Sequence, residues 1–192
     1  MTDLSAPPRS GSISAPSGPR SVAPGLAGLR AARDHGPLGA KTHLAPGLSF
    51  HADPGLAPAG HWSSPADRIV ELSLETGGTG SWAALHVALD LPELGALSGA
   101  RFLALMCRSA AGTEIMVRPC LRSGLQEGGF TDLFFPRHLL AVAEPRTHTD
   151  AFWLPALLPG DAPDTAPWRE LVLFLPPQSL SWHVHALDVV LA

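Results

Sequence analysis

Between residues 82 and 91 the apolar positions fall on every second residue. Ala83, Leu85, Val87, Leu89 and Leu91 share one side, and Trp82, Ala84, His86, Ala88 and Asp90 share the other. A period of two belongs to an extended strand with one face on a core and the other wet or lightly covered. Residues 114–123 repeat the pattern, with Ile115, Val117, Pro119 and Leu121 opposed to Met116, Arg118, Cys120 and Arg122. Pro119 has no N–H, which predicts a sheet edge or a bulge at that point. Near the C-terminus Leu180, Trp182, Val184 and Ala186 alternate with Ser181, His183, His185 and Leu187. Trp182 and Val184 are expected to point inward, and the two histidines outward on one side.

Further short apolar runs at 67–75, 100–109, 130–136, 150–159 and 168–177 are each closed by Gly or Pro. Regular short strands with such punctuation predict an all-β chain, an antiparallel sandwich or barrel. The exception is 137–144, RHLLAVAE, whose composition suits a helical turn. Residues 1–48 look different. Pro, Gly, Ser and Ala dominate, and Phe and Trp are absent before Phe50. A segment so poor in large apolar groups is expected to remain a disordered tail, because it buries too little to offset its ordering entropy. A turn or two of helix over 26–34 is the one element foreseen in it. The body is therefore placed at 49–192.

Composition narrows the function. Residues 1–46 hold five cations against two acids, a balance of +3, which leaves −7 for the rest of a chain whose net charge is −4. An acidic body does not suit a phosphate-backbone binder, so no nucleic-acid partner is expected. No run reaches the roughly 18 apolar residues of a membrane span, and no basic-then-apolar leader is seen, so the expectation is a cytoplasmic protein with no membrane span. Cys107 and Cys120 are the only cysteines, and their apolar surroundings predict buried, inert thiols.

No catalytic constellation emerges. There is no G-x-S-x-G elbow, no P-loop and no dinucleotide fingerprint. The strand-borne acids Glu71, Glu75, Glu114, Asp132 and Glu170 are candidates for a glycosidase pair, but no spacing brings any two together. His183 and His185 form an H-x-H of the kind that holds a metal in cupin-like jelly-roll enzymes. Within this sequence no His follows them, so partners would have to come from His86, His138 or His148. No cofactor is expected. What remains is a polar and aromatic surface. If Trp82, His86, Arg118, Arg122, His183 and His185 share one outer face, they make a shallow ligand platform, with an aromatic plane for sugar rings and donors for hydroxyls or acidic groups. Trp153 and Trp168 are expected to pack in the core or at the sandwich edge.

The succession ARFLALMCRS, MVRPCLRS, GGFTDLFFP and WRELVLFLP, closing on LSWHVHALDVVLA, resembles the galactose-binding-like jelly-roll sandwiches that serve as carbohydrate-binding modules. The resemblance covers roughly residues 49–192. It implies a non-catalytic module that binds a glycan or polysaccharide and acts with glycan-processing or polysaccharide-synthesis machinery. The sequence departs from that group in having no Tyr for an aromatic platform. Two other functions stay open: a protein–protein assembly module pairing through an apolar edge strand at 169–176, and a metal-dependent enzyme built on His183 and His185.

Overall fold

A computed structural model describes residues 18–91, 101–157 and 161–192. The strands in chain order are β1 (Arg20–Ser21), β2 (His35–Pro37), β3 (Lys41–Ala45), β4 (Leu48–Ala52), β5 (Pro58–Ser63), β6 (Val70–Thr76) and β7 (Ala83–Leu89). They continue as β8 (Phe102–Ala111), β9 (Ile115–Gly124), β10 (Phe130–Phe134), β11 (Leu139–Ala141), β12 (Arg146–Trp153), β13 (Arg169–Leu175) and β14 (Leu180–Leu191). Among the described residues one α-helix, α1 (Pro24–Ala32), joins β1 to β2. All pairings are antiparallel, and the strands form two sheets. The first sheet runs β12-β8-β14-β6-β5-β2, with β1 added to β14; the second runs β10-β9-β13-β7-β4-β3, with β11 added to β9. This is the expected all-β antiparallel sandwich.

The two sheets meet on their apolar sides. Leu72 and Leu74 of β6, Leu103 and Leu105 of β8, and Trp182 and Val184 of β14 face Phe50, Leu85, Val87, Leu121, Leu171 and Leu173, and all are essentially unexposed. Removing a side chain such as Trp182 from this layer would cost about 3–5 kcal/mol, because the cavity adds to the lost transfer energy. The inward positions of β7 and β9 are those that alternation assigns. In β14 the phase slips: a bulge lies between Val184 and Ala186, so Leu187 is buried and Ala186 is partly exposed.

Pro119 sits in neither a free edge nor a bulge. On its outer side β9 pairs with β10 through Cys120–Gly124 and with β11 through Ile115–Val117, and Pro119 falls in the gap between them. Its carbonyl accepts from Phe135 N–H at 3.0 Å on that side. A residue's N and O point the same way in a strand, so the absent N–H would have faced the same gap and no ladder bond is lost.

Three expectations need correction. Residues 18–48 are part of the sandwich and not a tail; residues 1–17 lie outside the described ones. Val22, Leu26 and Leu29 are buried, and β2 and β3 pair with β5 and β4. The apolar side chains are few, but Leu26 and Leu29 share one face of α1 at i and i+3 and Val22 bonds along β14, so they close over core already built by other strands and the segment need not form a core alone. Pro24 opens α1, and Arg33 ends it in the left-handed region at φ 50°. Second, 139–141 is strand, not helix: Leu139 and Ala141 are buried and Leu140 is exposed, the period of a sheet. Third, the strand foreseen at 150–159 runs from Arg146 to Trp153 and stops where Pro155 enters a 3₁₀ turn, Leu154–Ala156; residues 158–160 lie outside the described ones.

Candidate functional site

The six residues foreseen as one platform occupy opposite sides of the sandwich. β14 lies in the first sheet, so His183 and His185 stand on its outer face. His86 on β7 and Arg118 and Arg122 on β9 stand on the outer face of the second sheet. Trp82 precedes β7 and is 38% exposed, its carbonyl accepting from Asp53 N–H at 2.9 Å. Alternation within a strand fixes which residues share a face; it does not say which sheet a strand joins.

Around β14 and β6 the first sheet's outer face is polar, while its β8–β12 edge exposes Phe102, Met106 and Trp153. His183 is opposite Glu71 and Ala110, and its Nε2 lies 2.9 Å from Ser181 Oγ. Arg68 pairs with Glu71, which also accepts from Ser63 Oγ at 3.3 Å. Burial and then the Arg68 charge lower the pKa of both His183 and His185, with Arg108 adding to the effect on His185. His138 is exposed, and His148 donates to the Leu140 carbonyl at 2.9 Å. Among the described residues no group of three or more His, Cys, Asp or Glu is arranged to hold a metal ion. The H-x-H is therefore not completed by the partners the metal reading required.

The second sheet's outer face is more elaborately built. Register places Phe130, Asp132 and Phe134 of β10 beside Gly124, Arg122 and Cys120 of β9. On β13, Glu170, Val172 and Phe174 then meet Arg122, Cys120 and Arg118. On β7, Ala88, His86 and Ala84 follow, and beyond them His51 and Ser49 on β4, then Lys41 and His43 on β3.

Planar groups are stacked along this face. Arg122 donates from Nε and Nη2 to the two carboxylate oxygens of Asp132, each at 2.7 Å, and its guanidinium lies 3.8 Å from the Phe130 ring centre. A two-pronged pair fixes the guanidinium plane as well as its position. Arg118 lies 3.7 Å from the centre of the Phe134 ring, which in turn contacts Phe174 at 5.9 Å between centroids. Under these groups Ala84, Cys120 and Val172 form a small buried cluster of their own.

The exposed end of the stack carries two aromatic rings. Phe130 is 51% and Trp168 is 42% exposed. Gly124 is what lets Trp168 meet the sheet. A Cβ built there would fall 2.5 Å from Cε2 and Nε1 of the Trp168 indole. By alternation with Arg122, that Cβ would point to the outer face. The Trp168 carbonyl also accepts from Gly124 N–H at 3.0 Å. Sequence reasoning missed both rings as site residues. Phe130 could have been found from its parity with Asp132 and Phe134. Trp168 could not, because its contact is with a glycine 44 positions away. Trp153, expected in the core or at the sandwich edge, lies on the first sheet's edge strand β12 and is 54% exposed.

Arg169 anchors this end from below. It is 1% exposed. Its guanidinium donates to the Leu91 carbonyl at 2.9 Å, to Ser123 Oγ at 2.5 Å, and to the carbonyls of Pro163 and Asp164 at 2.5 and 3.0 Å. One side chain thus ties the loop leading into Trp168 to the ends of β7 and β9. Nothing in its place at the start of an apolar run marked it as buried.

At the middle of the face His86 is 6% exposed, with Nδ1 2.8 Å from Glu170 Oε2. Its Nε2 is buried without a partner, and the His51 ring packs beside it at 4.5 Å between centroids. Burial lowers the pKa of His51, and the neighbouring charges of His86 and Lys41 lower it further. Burial pushes the Glu170 carboxyl up, but the His86 hydrogen bond and the charges of His86, Arg122 and His51 outweigh it and leave it depressed. Cys120 lies at the floor and Cys107 in the core; both are free, and burial pushes both thiols up to about 12. They belong to different sheets and are not disulfide partners.

A recess of about 630 Å³ beside β2 and β3 is lined by Asp34, His35, Lys41, Thr42 and Trp62 among others. Its one large aromatic side chain, Trp62, is 4% exposed, and its exposed rings are the imidazoles of His35 and His43. The built face of the second sheet is the better candidate.

No protein-family model matches this sequence, and no curated protein matches it. Several solved structures are similar in fold. A structure described as CBM4 is 13% identical with a TM-score of 0.46, covering 64% of this chain and 70% of the other. The CBM22-1 xylan-binding domain of Xyn10C from Paenibacillus barcinonensis is 8% identical with a TM-score of 0.44, covering 82% and 85%. A family 11 carbohydrate-binding module from Clostridium thermocellum, in complex with a β-1,3-1,4-mixed-linked tetrasaccharide, is 11% identical with a TM-score of 0.43, covering 81% and 86%.

Proposed function

We propose that the chain is a non-catalytic carbohydrate-binding sandwich, with its ligand on the outer face of the second sheet, and that it works beside glycan-processing or polysaccharide-synthesis machinery. One observation carries the reading. Phe130, opposite Gly124 in register, and Trp168, whose indole lies against Gly124, both stand exposed, and Arg122, Asp132, Gly124 and Arg169 hold them there. Exposed rings fixed in orientation are suited to the apolar faces of sugar rings, and the flanking Asp132, Glu170 and Arg122 offer hydrogen bonds to hydroxyls. Because the rings are already ordered, binding need not order them again.

The test is calorimetry and affinity electrophoresis against a panel of soluble polysaccharides, using the wild type and the variants Phe130→Ala and Trp168→Ala. Each ring is worth about 0.5–1.5 kcal/mol, so each variant should bind up to about tenfold more weakly while melting as the wild type does. Absence of binding to every polymer at millimolar ligand, or unchanged binding in both variants, sinks the reading. The assembly alternative loses its stated basis: β13 lies between β9 and β7, so 169–176 offers no free edge.

A further inference from the structure

The charges on this face do not cancel locally. Both acids on its paired strands are engaged, Asp132 by Arg122 and Glu170 by His86. Two cations are not. Arg118 is exposed and stacked on Phe134, and Lys41, the chain's single lysine, is exposed on edge strand β3. Among the described residues neither has a carboxylate within ion-pair distance.

Register sets these two on one transverse row. Arg118 is opposite Phe174, Phe174 opposite Ala84, Ala84 opposite His51, and His51 opposite Lys41. Four strand spacings separate the ends, about 19 Å. The row is low in its centre, where Ala84 is a buried methyl, and it rises to a cation at each end. Stacking uses the face of the Arg118 guanidinium and leaves its N–H edges free, the geometry that takes a carboxylate in two prongs. Next to the row, the buried Nε2 of His86 has no partner, so the floor still holds an unmet polar atom.

We propose that the ligand lying across this row is an anionic glycan, a polysaccharide bearing carboxylate groups that Arg118 and Lys41 meet at its two ends. The inference rests on the reading of this face as a glycan site and adds the ligand's charge to it. The chain is net −4, so a polyanion is repelled in general and attracted where unpaired cations stand on one face. His51, with its depressed pKa, stays neutral at pH 7 and serves hydroxyls rather than charge.

The experiment compares polygalacturonate and alginate with the same polymers after chemical reduction of their carboxylates to alcohols, and with a neutral β-glucan. The full chain and the variants Arg118→Gln and Lys41→Gln are used, with melts to confirm folding. The expected result is at least about tenfold tighter binding to the charged polymers at low salt, the scale of one charge-assisted contact. That preference should shrink as salt is raised, and it should shrink again in each variant. Equal affinity for charged and reduced polymers overturns the charge inference and leaves the glycan reading standing. Binding to no polymer at all overturns both.

Discussion

Replacing Arg169 by Met tests whether the aromatic end of the second sheet depends on a single buried guanidinium. Methionine fills much of the volume but donates nothing. The Leu91 carbonyl and Ser123 Oγ would lose buried partners, and the carbonyls of Pro163 and Asp164 would lose partly buried ones. Each buried acceptor left unmet costs about 1–3 kcal/mol, and removal of a desolvated cation offsets part of that, so a net loss of about 3 kcal/mol is expected. Desolvation lowers the pKa of Arg169, which is the sign of that offset. For a chain of this length the loss corresponds to a fall in Tm of about 6–12 °C. The assay is a calorimetric melt at pH 7, with Arg169→Lys as companion. An ammonium can reach one or two of these acceptors but not all of them, so the lysine variant should fall between. The same melts should be paired with polysaccharide binding at a temperature where both proteins are folded. Freeing the 161–168 segment from Leu91 and Ser123 should weaken binding by loosening Trp168. A Tm within about 2 °C of wild type would refute the argument that Arg169 holds this end together.

Three further outcomes are expected. Gly124→Ala should weaken polysaccharide binding with a small change in Tm, because its Cβ would displace the half-exposed Trp168 ring rather than core; binding as tight as wild type would show that the indole is not part of the site. Cys107 and Cys120 should resist a thiol reagent at pH 8 in the native state and react once the protein is unfolded, since burial holds both near 12; rapid native labelling of either would contradict the packing described. Stability should fall as pH drops below 6.5, because burial and neighbouring cations depress His51, His183 and His185 in the folded state. The unfolded chain then binds more protons, so stability rises with pH through that window, and the depressed Glu170 adds a further loss below 4.5. Melts at pH 5, 6 and 7 that are flat, or that rise toward pH 5, would count against this.

The strands β7, β9 and β14 were legible because each alternates, and β8 and β13 because each is a short apolar run closed by Gly or Pro; both are local properties. His86 with Ala84, and Arg118 with Arg122, were correctly grouped for the same reason. The joining of β14 to β8 and β6, which carries His183 and His185 to the far side, is decided by pairings such as Trp182 with Ala111 and Val184 with Val70, far apart in the chain. No local pattern encodes those. The segment 18–48 was hidden by averaging. Its Gly, Pro and Ser content is that of a linker, yet Leu26 and Leu29 fall on one side of α1, Val22 continues β1 along β14, and all three need only an existing core to cover. Arg169 and Trp168 were hidden by context. A polar residue opening an apolar strand reads as its solvated end, and only the fold shows carbonyls converging on it.

The burial of β7 on both faces explains why the second sheet is the built one. Ala83 through Val87 are all buried, including Ala84 and His86 on the side away from the core. A sandwich has two layers, and no third layer of strands lies over this face among the described residues. The cover comes instead from the side chains of the sheet itself, laid flat: Arg122 on Phe130, Arg118 on Phe134, Phe134 on Phe174, His51 on His86. Such groups gain from lying over small neighbours, and the sequence supplies Ala84, Val172 and Cys120 beneath them. Stability alone would be served as well by Thr, Ser or Val pointing into water. Flattening a row of cations and rings over a floor of small side chains instead yields a rigid surface with exposed π-faces and N–H edges. That surface has the chemistry of a site that meets a flat, hydroxylated and charged ligand.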